Sequence, residues 1–161
     1  MIPVAKLEAL PLFHRQTIPP DYLDLMGHMN IRWYMALYDE AAWKFFESIG
    51  MDETYCRTNH AGGMALKQFI NYYAEVHAGQ TVAIRTRILG RSAKRFHFMH
   101  FMVNETTGVL ASTMEVLGTH ADLNTRRTSP LPPQIAANID AKLAEYRQLD
   151  WEAPVCGVIH P

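Results

Sequence analysis

Residues 31–49 read Ile31-Arg-Trp-Tyr34-Met-Ala-Leu-Tyr38-Asp-Glu40-Ala41-Ala-Trp43-Lys44-Phe45-Phe46-Glu-Ser-Ile49, and this stretch decides the fold. Placed at about 100° per residue, Ile31, Tyr34, Met35, Tyr38, Ala41, Ala42, Phe45, Phe46 and Ile49 share one broad arc. Arg32, Asp39, Glu40, Lys44 and Glu47 fall on the opposite arc. The spacing predicts an amphipathic helix with a wide apolar face. Asn30 suits its first turn as a side-chain cap, and Gly50 suits a left-handed ending. Trp33 and Trp43 break the pattern by pointing to the charged side. They call for cover from another helix or a second subunit, or for half-exposure over long charged side chains.

Outward from the helix, the period changes to two. After Gly62-Gly63, Leu66, Gln68, Ile70, Tyr72, Ala74 and Val76 alternate with Lys67, Phe69, Asn71, Tyr73 and Glu75, as in a strand. A turn at residues 77–80 leads to Val82, Ile84, Thr86 and Ile88 on one face of a second strand. Gly90 to Ala93 makes a hairpin connection. Residues 96–103 are apolar on both faces, which marks a central strand. Val109 to His120 is the last long strand, and Pro130, Pro132 and Pro133 stop it. Ile135, Ile139, Leu143 and Tyr146 then outline a C-terminal helix over about 133–147, with Pro133 in its first turn. With an extended piece around Leu12 to Ile18, the order is strand, helix, four strands, helix. The expectation is α+β: four consecutive strands in an antiparallel meander, with the long helix across one face.

The chain of 161 residues fits one domain, 1–161, without repeat or linker. Hydrophobic residues make up 48%, enough for a core, and aromatics at 11% with a net charge of −1 exclude disorder as the main state. Fifteen Lys and Arg against 16 Asp and Glu argue against a nucleic-acid binder. A charged fraction of 19%, below the usual value of about a quarter, fits a surface partly hidden in an oligomer. No apolar run approaches the roughly 18 residues of a membrane span. The opening residues lack the pattern of a signal peptide, so the expected location is cytoplasmic. Cys56 and Cys156 lie far apart and read as reduced thiols, with neither a metal nor a disulfide expected.

The chemistry concentrates in Asp24-Leu-Met-Gly27-His28-Met-Asn30, immediately before the helix. Gly27 permits a tight backbone approach, and the first N–H groups of the helix have no intrahelical partner. With the positive end of the helix dipole, those donors hold an anionic oxygen. A carboxylate beside an oxyanion site is a minimal kit for hydrolysing an activated acyl group. The alternative is that Asp24 only braces the loop.

These residues, followed by Tyr34 and a helix ending at Gly50, resemble the D-x-x-G-H-x-N signature of hotdog-fold acyl-CoA thioesterases of the 4-hydroxybenzoyl-CoA thioesterase type. The resemblance covers about residues 10–122 and continues through Lys94-Arg95-Phe96-His97-Phe98-Met99-His100. The thioesterases of carnitine and betaine catabolism, which act on betainyl-CoA, are the most similar subgroup. They share Pro19-Pro20, the Lys-Arg-x-His-x-x-His strand and the Gly157 to Ile159 tail. The resemblance implies a single hotdog domain, a curled antiparallel sheet wrapped around a central helix, followed by the C-terminal helix. It implies hydrolysis of a small acyl-CoA to CoA and the free acid, with CoA as part of the substrate and no separate cofactor. Asp24 is then the nucleophile or general base, and the backbone N–H of Ile31 the oxyanion donor. His28 and Asn30 shape the loop or contact the thioester, and Gly27 and Tyr34 border the substrate. It also implies a homodimer or a dimer of dimers. Rival readings are an acyl-CoA-binding hotdog module without turnover and, further off, a hydratase or dehydratase.

Other residues carry two readings. Glu40 matches the place where some hotdog enzymes keep their acid, yet its spacing to Lys44 equally suits a surface ion pair. His97 and His100 differ by three positions on a strand and so face opposite sides, which favours packing over joint metal binding. His60 sits in a loop that borders the pocket or is plain loop. The phosphates of CoA need basic residues, and Arg91, Lys94, Arg95, Arg126 and Arg127 are the available clusters, though each also suits a solvated strand end. A trimethylammonium on the acyl group would need an aromatic cage, with Tyr34, Tyr72, Tyr73 and Trp33 as walls.

Overall fold

The computed structural model describes residues 2–161. In chain order the elements are α1 (Val4–Leu7), β1 (Leu12–Thr17), a 3-10 turn (Pro20–Tyr22), α2 (Ile31–Ile49), α3 (Glu53–Asn59), β2 (Ala61–Tyr72), β3 (Thr81–Arg91), β4 (Arg95–Asn104), β5 (Val109–Asp122), β6 (Arg127–Thr128) and α4 (Pro133–Tyr146). The strands form one sheet in the order β1-β3-β4-β5-β2, with β6 against β5. The fold is a hotdog: an antiparallel sheet around the central helix α2, with α4 added at the C-terminal end. The doubly apolar strand β4 is central and buried at nearly every position, as its sequence requires.

The expected four-strand meander is corrected. Only β3, β4 and β5 are successive neighbours; β2 pairs with β5 at one edge and not with β3. The chain leaves the end of β2 through the Tyr73 and Ala74 amides, which both donate to the Ala111 carbonyl (2.8 and 3.2 Å). It then joins the other edge, where Ile18 N–H donates to Gln80 and Gly79 N–H to Ile18 (both 2.8 Å). The β1–β3 pairing continues from there, Thr17 opposite Thr81 and Gln16 opposite Val82.

The chain packs as two compact units. The first combines the chain up to Lys44 with Ile70–Thr86 and His100–Met114. In it α2 buries Tyr34, Leu37, Tyr38 and Ala41, while Ile31 and Met35 are exposed. The buried stripe is therefore narrower than the apolar arc and takes in Leu37 at one flank, dropping Met35 at the other. Tyr38 lies against the His100 ring (centroids 5.6 Å, 18°), and Thr86 Oγ1 meets His100 Nδ1 at 2.6 Å. Burial pushes the His100 imidazole down to about 3, so it is neutral at ordinary pH. Trp33 stacks flat on Tyr22 (3.7 Å, 4°), so its cover comes from the turn just before the helix and not from another helix. Trp43 is 54% exposed.

The second unit combines Phe45–Phe69, Arg87–Met99 and Glu115–Pro161. Here α2 ends as expected: Gly50 takes φ +93, its N–H donates to Glu47, and the Met51 N–H donates to Phe46. Phe45, Phe46, Phe96 and Phe98 form one ring cluster with centroids 4.8–6.2 Å apart. Two glycines make room for it. A Cβ on Gly118 would stand 2.2 Å from the Phe96 ring, and one on Gly63 would press on Phe46 and Phe96 at 3.2 and 3.3 Å. Strand β2 begins at Ala61, not beyond Gly62-Gly63: Gly63 makes room for the rings and Gly62 lies against the Cys56 sulfur (3.2 Å from a Cβ there), both inside the strand. Helix α4 buries Ile135, Ile139 and Tyr146, three of its four expected core residues. His97 Nε2 bonds Glu115 Oε1 (2.8 Å), whose other oxygen accepts the Cys156 N–H (2.7 Å). Both cysteines are free thiols. Among the described residues no helix is long and apolar enough to cross a membrane, and no group of His, Cys, Asp and Glu is placed to hold a metal ion.

Candidate active site

The motif folds as a tight loop in the first unit. Leu23 and Met29 pair as an isolated antiparallel bridge, Asp24 N–H donates to His28 (3.0 Å), and Gly27 N–H donates to Asp24 (3.0 Å). Gly27 supplies φ +84 at the apex, and a Cβ there would meet nothing within 4 Å. The backbone conformation by itself accounts for a glycine here. The loop is anchored where the Met29 amide donates to Val76 (2.7 Å) and the Asn30 amide to Tyr22 (2.9 Å).

Asn30 then starts α2 as anticipated. Its side-chain oxygen accepts the Arg32 N–H (3.1 Å) and its carbonyl accepts the Trp33 N–H (2.9 Å). The Ile31 amide between them has no acceptor among the described residues, and the Ile31 side chain is 67% exposed. One donor of the first turn thus stays available beside the motif.

Asp24 is held at one oxygen. Its Oδ1 accepts the Met26 N–H (2.9 Å), while Oδ2 faces His28 Nε2 at 3.8 Å. The Nδ1 of His28 faces Glu75 Oε1 at 3.7 Å, and Glu75 Oε2 lies 3.4 Å from His77 Nε2. His77 Nδ1–H donates to the Gly27 carbonyl (3.0 Å), closing a ring of polar groups around the loop. Glu75 and His77 carry no sequence signal for this role. They arrive from the segment after β2, about fifty positions from the motif.

A cavity of about 270 Å³ opens beside the loop, lined by His28, Met29, Ile31, Tyr34, Tyr72, Tyr73, Ala74 and Glu75. Of the expected site residues, His28, Ile31 and Tyr34 line it; Asp24, Gly27 and Asn30 belong to the adjoining loop and are not among its lining residues. Tyr34 and Tyr72 meet edge to face (5.0 Å, 86°), and Tyr73 Oη bonds Thr113 Oγ1 (3.1 Å). Burial, with Tyr72 and the Glu75 charge nearby, raises the Tyr34 phenol to about 12, so it stays protonated. Trp33 is not part of the wall, since its ring is taken up by Tyr22.

The expected phosphate-binding residues all fall in the second unit. Arg91 has its guanidinium committed to Asp140 (2.7 and 2.5 Å). Lys94 and Arg95 are exposed at the β3–β4 turn; exposed Arg126, at φ +56, and Arg127 lie at β6. His60 is the left-handed cap of α3, φ +47, and its carbonyl accepts the Leu123 N–H (2.7 Å). Glu40 is exposed in the first unit, near enough to act on the half-buried His14.

Residues 18–139 match the family model of the Thioesterase-like superfamily, and the chain belongs to that family. It is an enzyme of this hotdog thioesterase class. A betainyl-CoA thioesterase from Pseudomonas aeruginosa is 25% identical over 130 residues, covering 81% of this chain and 82% of that protein. An L-carnitine dehydrogenase/betainyl-CoA thioesterase from Agrobacterium fabrum is 29% identical over 127 residues, covering 79% of this chain. The match spans only 26% of that longer protein. Among solved structures, a Staphylococcus aureus hypothetical protein in complex with CoA superposes with a TM-score of 0.81 at 22% identity, covering 94% of both chains. A 1,4-dihydroxy-2-naphthoyl-CoA thioesterase from Synechocystis gives 0.70 at 17% identity, covering 81% of this chain and 96% of that one. These structural likenesses establish the shared fold.

Proposed function

We propose that the protein hydrolyses a small acyl-CoA thioester to CoA and the carboxylic acid, with Asp24 as the catalytic carboxylate. The observation that carries this reading is that His28 and Ile31, with its available amide, line one cavity, and that His28 faces the Asp24 carboxylate at 3.8 Å. Asp24 either takes a proton from water as it adds to the thioester carbon or attacks that carbon itself. The oxyanion that forms meets the Ile31 N–H at the positive end of α2, an interaction worth a few kcal/mol where single donors of this kind have been removed (about 3). Carbon–sulfur cleavage then releases CoA thiolate, for which His28 is the candidate proton donor; on the covalent route water finally hydrolyses the Asp24 acyl anhydride and frees the acid.

Within this class the substrate we favour is betainyl-CoA, as in the two relatives named above. The exposed Lys94, Arg95, Arg126 and Arg127 are candidates for the CoA phosphates, with Arg91 tied to Asp140. Self-association as a homodimer or dimer of dimers is supported by Leu66 and Phe69, 46% and 43% exposed on the edge strand β2. Sedimentation of the purified chain tests that part.

The functional test is release of CoA thiol from a panel of betainyl, short straight-chain and aromatic thioesters. Rapid release from one class supports the reading. Measurable binding of acyl-CoA without release across the panel replaces it with a binding module.

A further inference from the structure

The cavity has a chemical character of its own. Its walls are three tyrosines, Tyr34, Tyr72 and Tyr73, with His28, Met29, Ile31 and Ala74, and its one carboxylate is Glu75. Among the described residues no Lys or Arg lines it. The rings of Tyr34 and Tyr72 stand at 86° with centroids 5.0 Å apart, two walls meeting at a corner. A neutral acyl chain gains nothing from a carboxylate at such a corner, and an anionic one is repelled by it. An organic cation is attracted both by the ring faces and by the carboxylate. The Tyr34 phenol, raised to about 12 first by burial and then by its neighbours Tyr72 and Glu75, stays neutral beside the carboxylate.

We infer that the Tyr34–Tyr72–Tyr73–Glu75 cavity is a specificity pocket for a quaternary ammonium group, which seats the cationic end of the acyl moiety. The rings contact the methyl groups, and Glu75 balances the charge without a hydrogen bond, since a quaternary nitrogen has no proton to give. This rests on the thioesterase reading for the link to an acyl group, but the cation site stands or falls separately. Glu75 and Tyr72 bind and select here; neither is assigned a step in the reaction.

The test compares two thioesters of equal shape, betainyl-CoA and 3,3-dimethylbutyryl-CoA, in which carbon replaces the charged nitrogen. The full chain is expected to prefer the cation by at least about tenfold in kcat/KM. Glu75→Gln and Tyr72→Leu should each shrink that ratio several-fold. Tyr72 is 49% exposed, so its replacement leaves the fold intact. Binding of tetramethylammonium chloride, followed by titration calorimetry, is measured alongside. Equal rates for the two thioesters, or a ratio unmoved by both variants, overturn the pocket while hydrolysis itself stands. Neither thioester hydrolysed, with tetramethylammonium bound and that binding lost in Glu75→Gln, supports the cation site and removes the hydrolytic reading. Absence of both hydrolysis and binding overturns both.

Discussion

His28 Nε2 stands 3.8 Å from Asp24 Oδ2 across a five-residue loop, with the other face of its ring 3.7 Å from Glu75. The histidine therefore sits between two carboxylates, one from the motif and one from the segment after β2. Of these three groups His28 and Glu75 line the cavity, while Asp24 belongs to the adjoining loop, held by the Met26 amide.

The start of α2 depends on Asn30. Asn30→Ala removes the acceptor for the Arg32 N–H and should cost about 1 kcal/mol. It should also lower kcat, because the Ile31 amide is aimed by the same turn. Asn30→Ser should recover most of the stability. Chemical denaturation and steady-state rates on the two variants check this.

Gly118→Ala should be among the most damaging single-methyl additions in the chain. The new Cβ would overlap the Phe96 ring at 2.2–3.0 Å, and that ring is fully buried among other rings. Overpacking of this kind costs about 1–3 kcal/mol, and the upper end applies. Phe96→Leu in the same background should restore part of the loss, which a denaturant midpoint shows directly.

His100 gives the fold a pH dependence. The buried ring titrates at about 3 folded and near 6.5 unfolded, so between those values the unfolded chain holds the extra proton. Stability from this group is complete above about pH 6.5 and falls as pH drops, at up to about 1.4 kcal/mol per pH unit. His100→Gln should flatten the decline between pH 6.5 and 4, even if it lowers stability at pH 7. An unchanged slope would assign the acid sensitivity to other groups.

Much of this architecture is legible in the sequence, for physical reasons that differ by element. Helix α2 is readable because one side of it is buried along its length, and the 3.6 period records that. Strand β4 is readable because both its faces are apolar. By contrast, α3 has no fully buried residue; the Asp52 cap on Tyr55 N–H (2.6 Å) and the left-handed His60 mark its ends, so no periodicity betrays it. Gly62-Gly63 misleads because glycines that admit close neighbours, the Cys56 sulfur at Gly62 and two phenylalanine rings at Gly63, look like glycines that break a strand. The pairing of β2 with β5 is a long-range choice without local trace. In the site, the motif is local and therefore visible. Glu75 and His77 join it only through the turn that follows β2, which no spacing rule reports.

The most direct measurement is turnover by Asp24→Asn on the thioester that the wild-type chain hydrolyses best. Asparagine keeps an oxygen for the Met26 amide, so the loop and the cavity should persist, and a thermal melt and substrate binding should remain close to wild type. The account predicts a fall in kcat of about a hundredfold or more, the usual contribution of a positioned carboxylate. Turnover near the wild-type rate would contradict it and move the chemistry to another group, with Glu75 on the cavity wall the first to examine.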